Sequence, residues 1–131
     1  MTASVAMVTL LVDDYERGIA FYRDALGLTL LENTDMGGGK RWVVLSGRNG
    51  GRLLLAKAVG ARQEAAIGSQ AGGRVGFFME TDDFARDHAA FVAEGVTFRE
   101  APRYESYGTV AVFEDPFGNA WDLIEPKRPE R

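Results

Sequence analysis

The sequence predicts an α+β fold made of two tandem β-α-β-β-β modules. Three observations carry the prediction. Apolar runs of strand length alternate with two stretches of helical periodicity, and the same element order occurs in each half. The halves also match residue by residue: Gly27-Leu28-Thr29-Leu30 falls on Gly95-Val96-Thr97-Phe98 at a shift of 68, as do Gly50 on Gly118 and Leu54 on Asp122. A shift of 69 pairs Asp14-Tyr15 with Asp83-Phe84. A module this small cannot bury both faces of its own sheet, so the two are expected to pack together, in one chain or across a dimer.

Val5–Val12 is a near-continuous apolar run suited to a buried strand. Asp13-Asp14 offers an N-cap, and Tyr15, Ile19, Tyr22 and Leu26 recur at helical spacing until Gly27 ends the helix. Leu28–Leu31 is apolar, Met36–Gly39 reads as a turn, and Arg41–Leu45 and Arg52–Ala56 read as strands joined by Gly47–Gly51. The first module therefore covers residues 5–57. Residues 58–73 form a polar, Ala/Gly-rich linker with a short helix expected near Ala61–Ile67. The second module, 74–126, repeats the order: strand Arg74–Met79, helix Asp82–Glu94 stopped by Gly95, then strands Val96–Arg99, Thr109–Glu114 and Ala120–Ile124.

With 131 residues the chain is one domain of two small modules, and 46% hydrophobic against 26% charged residues is ordinary for a globular protein. Fifteen Lys and Arg against nineteen Asp and Glu give a net charge of −4, which argues against nucleic acid as a partner. No cysteine is present, which removes thiolate nucleophiles, thiol redox chemistry and Cys-based zinc sites. The single histidine, His88, excludes a multi-His metal cluster. It lies mid-helix, in the outer layer, and is expected to pack rather than to act as a base. The first residues carry neither a basic flank nor a long apolar run, so no membrane segment is expected and a cytoplasmic location is. Gly37-Gly38-Gly39-Lys40 looks like half a phosphate loop but lacks its spacing and its Ser/Thr; a hairpin turn explains it better.

Taken in order, Leu10-Leu11-Val12-Asp13, Phe21-Tyr22, Leu26-Gly27 and Phe113-Glu114-Asp115-Pro116-Phe117-Gly118-Asn119-Ala120-Trp121-Asp122-Leu123 resemble the vicinal oxygen chelate superfamily. That group holds glyoxalase I, extradiol dioxygenases and bleomycin-resistance proteins, and the resemblance spans about residues 5 to 126. It implies the glyoxalase-like fold, a homodimer, and a cleft where metal-dependent members place four ligands. The positions matching those ligands hold Met7, a residue within Leu53-Leu54-Leu55, Arg74 and Asp122. One carboxylate beside a guanidinium that never deprotonates does not suit a divalent cation, so no metal and no other cofactor is expected.

Alternation along the strand places Gly76, Phe78 and Glu80 on the cleft face with Arg74, and Ala120 and Ile124 with Asp122. Arg74 and Asp122 are expected to pair across the cleft, or Arg74 to hold a carboxylate, carbonyl or phosphate of a ligand. Trp42, Phe78, Phe113 and Tyr107 offer either an aromatic wall or core packing, Tyr104 edges the same loop as Tyr107, and Gln70 lies near the cleft mouth. Glu80 and Glu114 are further candidate bases. Three functions follow: a metal-free protein that binds a small organic molecule; a glyoxalase- or dioxygenase-like lyase, isomerase or oxygenase using an off-register metal or Arg74 and Asp122; or an interaction module with a vestigial cleft.

Overall fold

The computed structural model describes residues 2–128. The chain divides between Ile67 and Gly68 into two compact units. In the first, β1 (Val8–Val12) is followed by α1 (Tyr15–Ile19), which runs on as a π-helical segment (Ala20–Ala25), then β2 (Thr29–Gly37), β3 (Lys40–Ser46), β4 (Arg52–Lys57) and α2 (Ala61–Ala66). The second holds β5 (Phe77–Glu80), α3 (Phe84–Ala93), β6 (Thr97–Phe98), β7 (Arg103–Glu105), β8 (Gly108–Glu114) and β9 (Ala120–Pro126).

Both sheets have one topology. The first is ordered β1-β4-β3-β2, with β1 and β4 parallel; the second is ordered β5-β9-β8-β6, with β5 and β9 parallel. The repeat extends to the register, since Val8 pairs with Leu53 and Phe77 with Trp121, positions related by the shifts of 69 and 68. The helices start alike as well. The Asp14 side chain accepts from the Glu16 N–H at 3.3 Å, and that of Asp83 from the Arg86 N–H at 3.1 Å. At the end of α3, Gly95 takes φ 86° while its N–H donates to the Val92 carbonyl and that of Val96 to Phe91, which closes the last turn.

Several expected boundaries move. The second half has an additional strand, β7, in what reads as a loop. β6 and β7 lie along the same edge of β8 and are interrupted around Pro102, whose missing N–H cannot extend the ladder. β5 begins at Phe77 rather than Arg74, because residues 71–74 form turns in which the Arg74 N–H donates to the Ala71 carbonyl. Met36 belongs to β2, and the turn is only Gly38-Gly39, at φ 63° and 82°, as a tight hairpin requires.

Each sheet buries one face under its helix. In the first unit Leu10, Val12, Val43, Leu45 and Leu55 pack with Ile19 and Tyr22 in the buried core. In the second the layer is aromatic. Trp121 stacks on Phe77 at 4.9 Å and on Phe113 at 5.9 Å, and Phe113 meets Phe91 and Phe98 at 5.6 Å each. His88 belongs to this layer, between Phe84 at 5.3 Å and Phe98 at 4.3 Å, as the packing role expected for it requires.

The turn from β8 to β9 is held by a buried carboxylate. One oxygen of Asp115 accepts from the N–H groups of Phe117 and Asn119, each at 2.9 Å, and the other from the Asn119 amide at 2.7 Å. Asp115 and Asn119 are both buried, which explains why the Asp-Pro-x-Gly-Asn order is needed there. Asp115→Ala is expected to lower unfolding free energy by about 2–3 kcal/mol, because three donors lose their acceptor. Urea denaturation measures it, and a loss below about 0.5 kcal/mol would contradict this role for the turn.

Candidate functional site

The face of the second sheet turned away from α3 carries the candidate site. Asp122, in the middle of β9, pairs with Val112 of β8 on one side and Phe78 of β5 on the other. The Val112 N–H donates to Glu100 at 2.9 Å, and its carbonyl accepts from the Arg99 N–H at 2.8 Å. Its polar groups thus point toward β6 and β7, which makes Val112 and Asp122 a pair without mutual backbone hydrogen bonds, the kind whose side chains lie closest.

Glu100 ties the edge together. Its second oxygen accepts from Arg103 Nε at 2.7 Å, while another nitrogen of Arg103 reaches Glu105 at 3.1 Å. The Arg103 guanidinium holds the Glu100 carboxyl below its usual pKa, and Glu100, with the Tyr107 hydroxyl, raises that of Arg103. Arg103, on β7 with β8 between it and the strand of Asp122, acts on Asp122 through its charge and makes no hydrogen bond to it.

Asp122 has a different environment. The residue is half-buried, yet its Oδ1 is sealed from solvent and has no hydrogen-bond partner among the described residues. Burial raises its pKa above the ordinary 3.8, Arg103 pulls in the opposite direction without prevailing, and Glu100 adds repulsion. A buried acceptor left unpaired costs about 1–3 kcal/mol in general, so a donor that meets this carboxyl on its less buried side offsets a deficit the fold leaves open. Phe78, directly across the ladder, is 66% exposed and offers an apolar ring at the same level.

The remaining sequence candidates are dispersed. Arg74 is exposed in the turn ahead of β5 and makes no ion pair with Asp122; the expected pairing fails because the strand that would have aimed it starts three residues later. Phe113 is fully buried in the aromatic layer and lines no surface, since its register with Trp121 turns it toward α3. Tyr107 and Tyr104 are exposed at the β7–β8 hairpin, and Gln70 is exposed in the segment before β5. Glu80 ends β5, exposed, across from Ile124. Glu114 is engaged by Arg99 at 2.9 Å. Trp42 and Met7 belong to the first unit; Trp42 is half-buried on β3 and donates to Glu32 at 3.1 Å, and Met7 immediately precedes β1. Glu100 and Arg103 were not legible as site residues, although their i, i+3 spacing is that of an ion pair.

The donor set does not fit a divalent cation. The positions that would supply ligands hold a thioether, an alkyl side chain, an exposed guanidinium and one carboxylate. Among the described residues, no group of three or more His, Cys, Asp or Glu is placed to share a metal ion.

Comparison with known proteins adds the following. The family model of the glyoxalase/bleomycin resistance protein/dioxygenase superfamily matches residues 4–123. A protein of Shewanella frigidimarina (strain NCIMB 400) is 47% identical over 128 residues, covering 95% of each chain. Among solved structures, TnmS3, an antibiotic binding protein from Streptomyces sp. CB03234, superposes with a TM-score of 0.78 at 26% identity, over 97% of this chain and 99% of that one. A glyoxalase/bleomycin resistance protein from the same Streptomyces superposes with a TM-score of 0.72, also at 26% identity, over 93% of this chain and all of that one.

The raised pKa of Asp122 has a measurable sign. A carboxyl that holds its proton more tightly when folded stabilises the fold on the acid side. That contribution is complete below pH 3.8 and is lost as pH rises through the folded value. Asp24, Asp87 and Glu100, lowered by arginine partners, act in the opposite direction. Comparing the wild type with Asp122→Asn isolates the first effect. The variant is expected to melt higher than wild type at pH 7, with the difference shrinking as pH falls toward 3.8. Equal melting temperatures at both pH values would contradict it.

Proposed function

The chain belongs to the glyoxalase/bleomycin resistance protein/dioxygenase superfamily, and from that premise we propose that it binds a small organic molecule without a metal, on the face of the second sheet that carries Asp122. The observation that carries the reading is the half-buried Asp122 carboxyl, whose Oδ1 has no partner among the described residues, beside the exposed ring of Phe78. Small-molecule sites characteristically combine apolar surface with a few polar groups that fix orientation. A ligand that donates a hydrogen bond to Asp122 and lays an apolar or aromatic portion on Phe78 satisfies both features at once. Arg103, pinned by Glu100, supplies a fixed positive field at the border of the site. The structural likeness to an antibiotic-binding protein supports the same class of activity.

One observation favours a second reading, in which the site performs proton transfer. A carboxyl with a raised pKa near a fixed guanidinium is the arrangement a general acid or base requires, as in a lyase or isomerase. Turnover of a bound compound, lost in Asp122→Asn, separates catalysis from sequestration.

A thermal-shift screen against antibiotics and other small aromatic compounds tests the proposal. A true ligand at 100-fold its Kd adds about 2.7 kcal/mol of stability. Asp122→Ala and Phe78→Ala are each expected to weaken its binding about tenfold or more, the loss of a buried hydrogen bond or of an apolar contact. Protein purified without chelators is expected to hold metal well below one equivalent. Binding that is unchanged in both variants, or stoichiometric zinc, nickel, manganese or iron required for binding, would overturn the reading.

A further inference from the structure

The segment that enters β5 forms a second feature, within the second unit. Residues 68–76 and the Gly118–Ala120 end of the β8–β9 turn enclose a shallow depression of about 50 Å³, with Arg99 at its border. Its walls approach closely because they are built from glycine. A Cβ on Gly68, at φ +74°, would lie 2.0 Å from the Phe117 carbonyl oxygen, and one on Gly76 would lie 2.8 Å from Ala71 Cβ. The volume suits a group of a few heavy atoms, whereas a site for a drug-sized molecule needs about 300 Å³ or more.

The charge of the lining is one-sided. Arg74 and Arg99 both border the depression, Ser69 adds a hydroxyl, and no Asp or Glu is among the lining residues. Arg99 is held in place by Glu114 at 2.9 Å and by the Gly118 carbonyl at 3.3 Å. The side chain of Arg74 enters no hydrogen bond or ion pair among the described residues. An uncommitted guanidinium at a glycine-lined hollow, with Arg99 and its partner Glu114 at the border, has the planar donor fork that oxyanions accept.

We propose that this depression binds an oxyanion group, a carboxylate or a phosphate, held by the Arg74 fork, with Arg99, itself paired with Glu114, at the border. The inference uses neither Asp122 nor Phe78 and stands independently of the ligand proposed there. The group comes either as a free inorganic anion or as the acidic end of an organic molecule.

Amide chemical-shift titration of the ¹⁵N-labelled chain tests it, with inorganic phosphate, phenyl phosphate and benzoate compared against chloride at matched ionic strength. Saturable shifts confined to amides of residues 68–76 and 118–120 are expected with an oxyanion and not with chloride. Phenyl phosphate or benzoate saturating at lower concentration than inorganic phosphate identifies an organic acid as the source, and the reverse order identifies a free anion. Arg74→Gln, at an exposed position, is expected to keep the dispersed spectrum and weaken binding about tenfold, and Arg74→Lys to weaken it less. Shifts that never saturate, that chloride reproduces, or that persist unchanged in Arg74→Gln would overturn the proposal.

Discussion

The second unit depends on the register of one parallel ladder. Phe77 pairs with Trp121, and their rings stack at 4.9 Å under α3. Because side chains alternate along a strand, that pairing fixes every other position on β5 and β9. A slip of one residue would turn Asp122 into the layer occupied by Phe84, Phe91 and Phe113, and bring Trp121 to the other face. Burying a carboxylate among aromatic rings without a partner is far more costly than leaving it half-buried. The stack and the charge therefore select the same register.

That register also explains why the two modules are not interchangeable. Leu54 and Asp122 occupy the same place in the repeat, each opposite a valine, Val44 in the first sheet and Val112 in the second. In the first sheet the position is an alkyl group continuous with its apolar neighbours. In the second it is a carboxylate whose field is shaped by Glu100 and Arg103, residues of the broken edge strand around Pro102 that has no counterpart in the continuous β2. Duplication supplied two equivalent sheets, and a few residues on one edge made one of them chemically distinct.

Much of the architecture was legible in the sequence because it follows from local rules. Asp14 and Asp83 announce helix starts, Gly27 and Gly95 announce helix ends, and Asp-Pro-x-Gly-Asn announces a turn that Asp115 does hold. The orientation of Phe78 and Asp122 was legible for the same reason, since alternation needs only a strand. Arg74 shows where this reasoning ends. Its orientation rests on extending a strand backward, but Gly72 and Gly73 take positive φ and the Arg74 N–H donates to Ala71 within a turn, so bonding to β9 reaches back only to Gly76, whose N–H donates to the Ala120 carbonyl. Glu100 and Arg103 escaped for a related reason: Pro102 reads as a loop, and only pairing with β8, a contact distant in sequence, makes it an edge strand.

The candidate site turns on one group, the Asp122 carboxyl, kept short of partners by the sheet around it. Its ¹³C carboxyl resonance, followed by NMR across pH in the free protein and with a bound ligand, measures that directly. An inflection above 3.8 is expected in the free protein, moving downward when a ligand donates a hydrogen bond to the carboxylate. An inflection at or below 3.8 in the free protein would mean that Asp122 is already satisfied, and that the face it occupies is not waiting for a ligand.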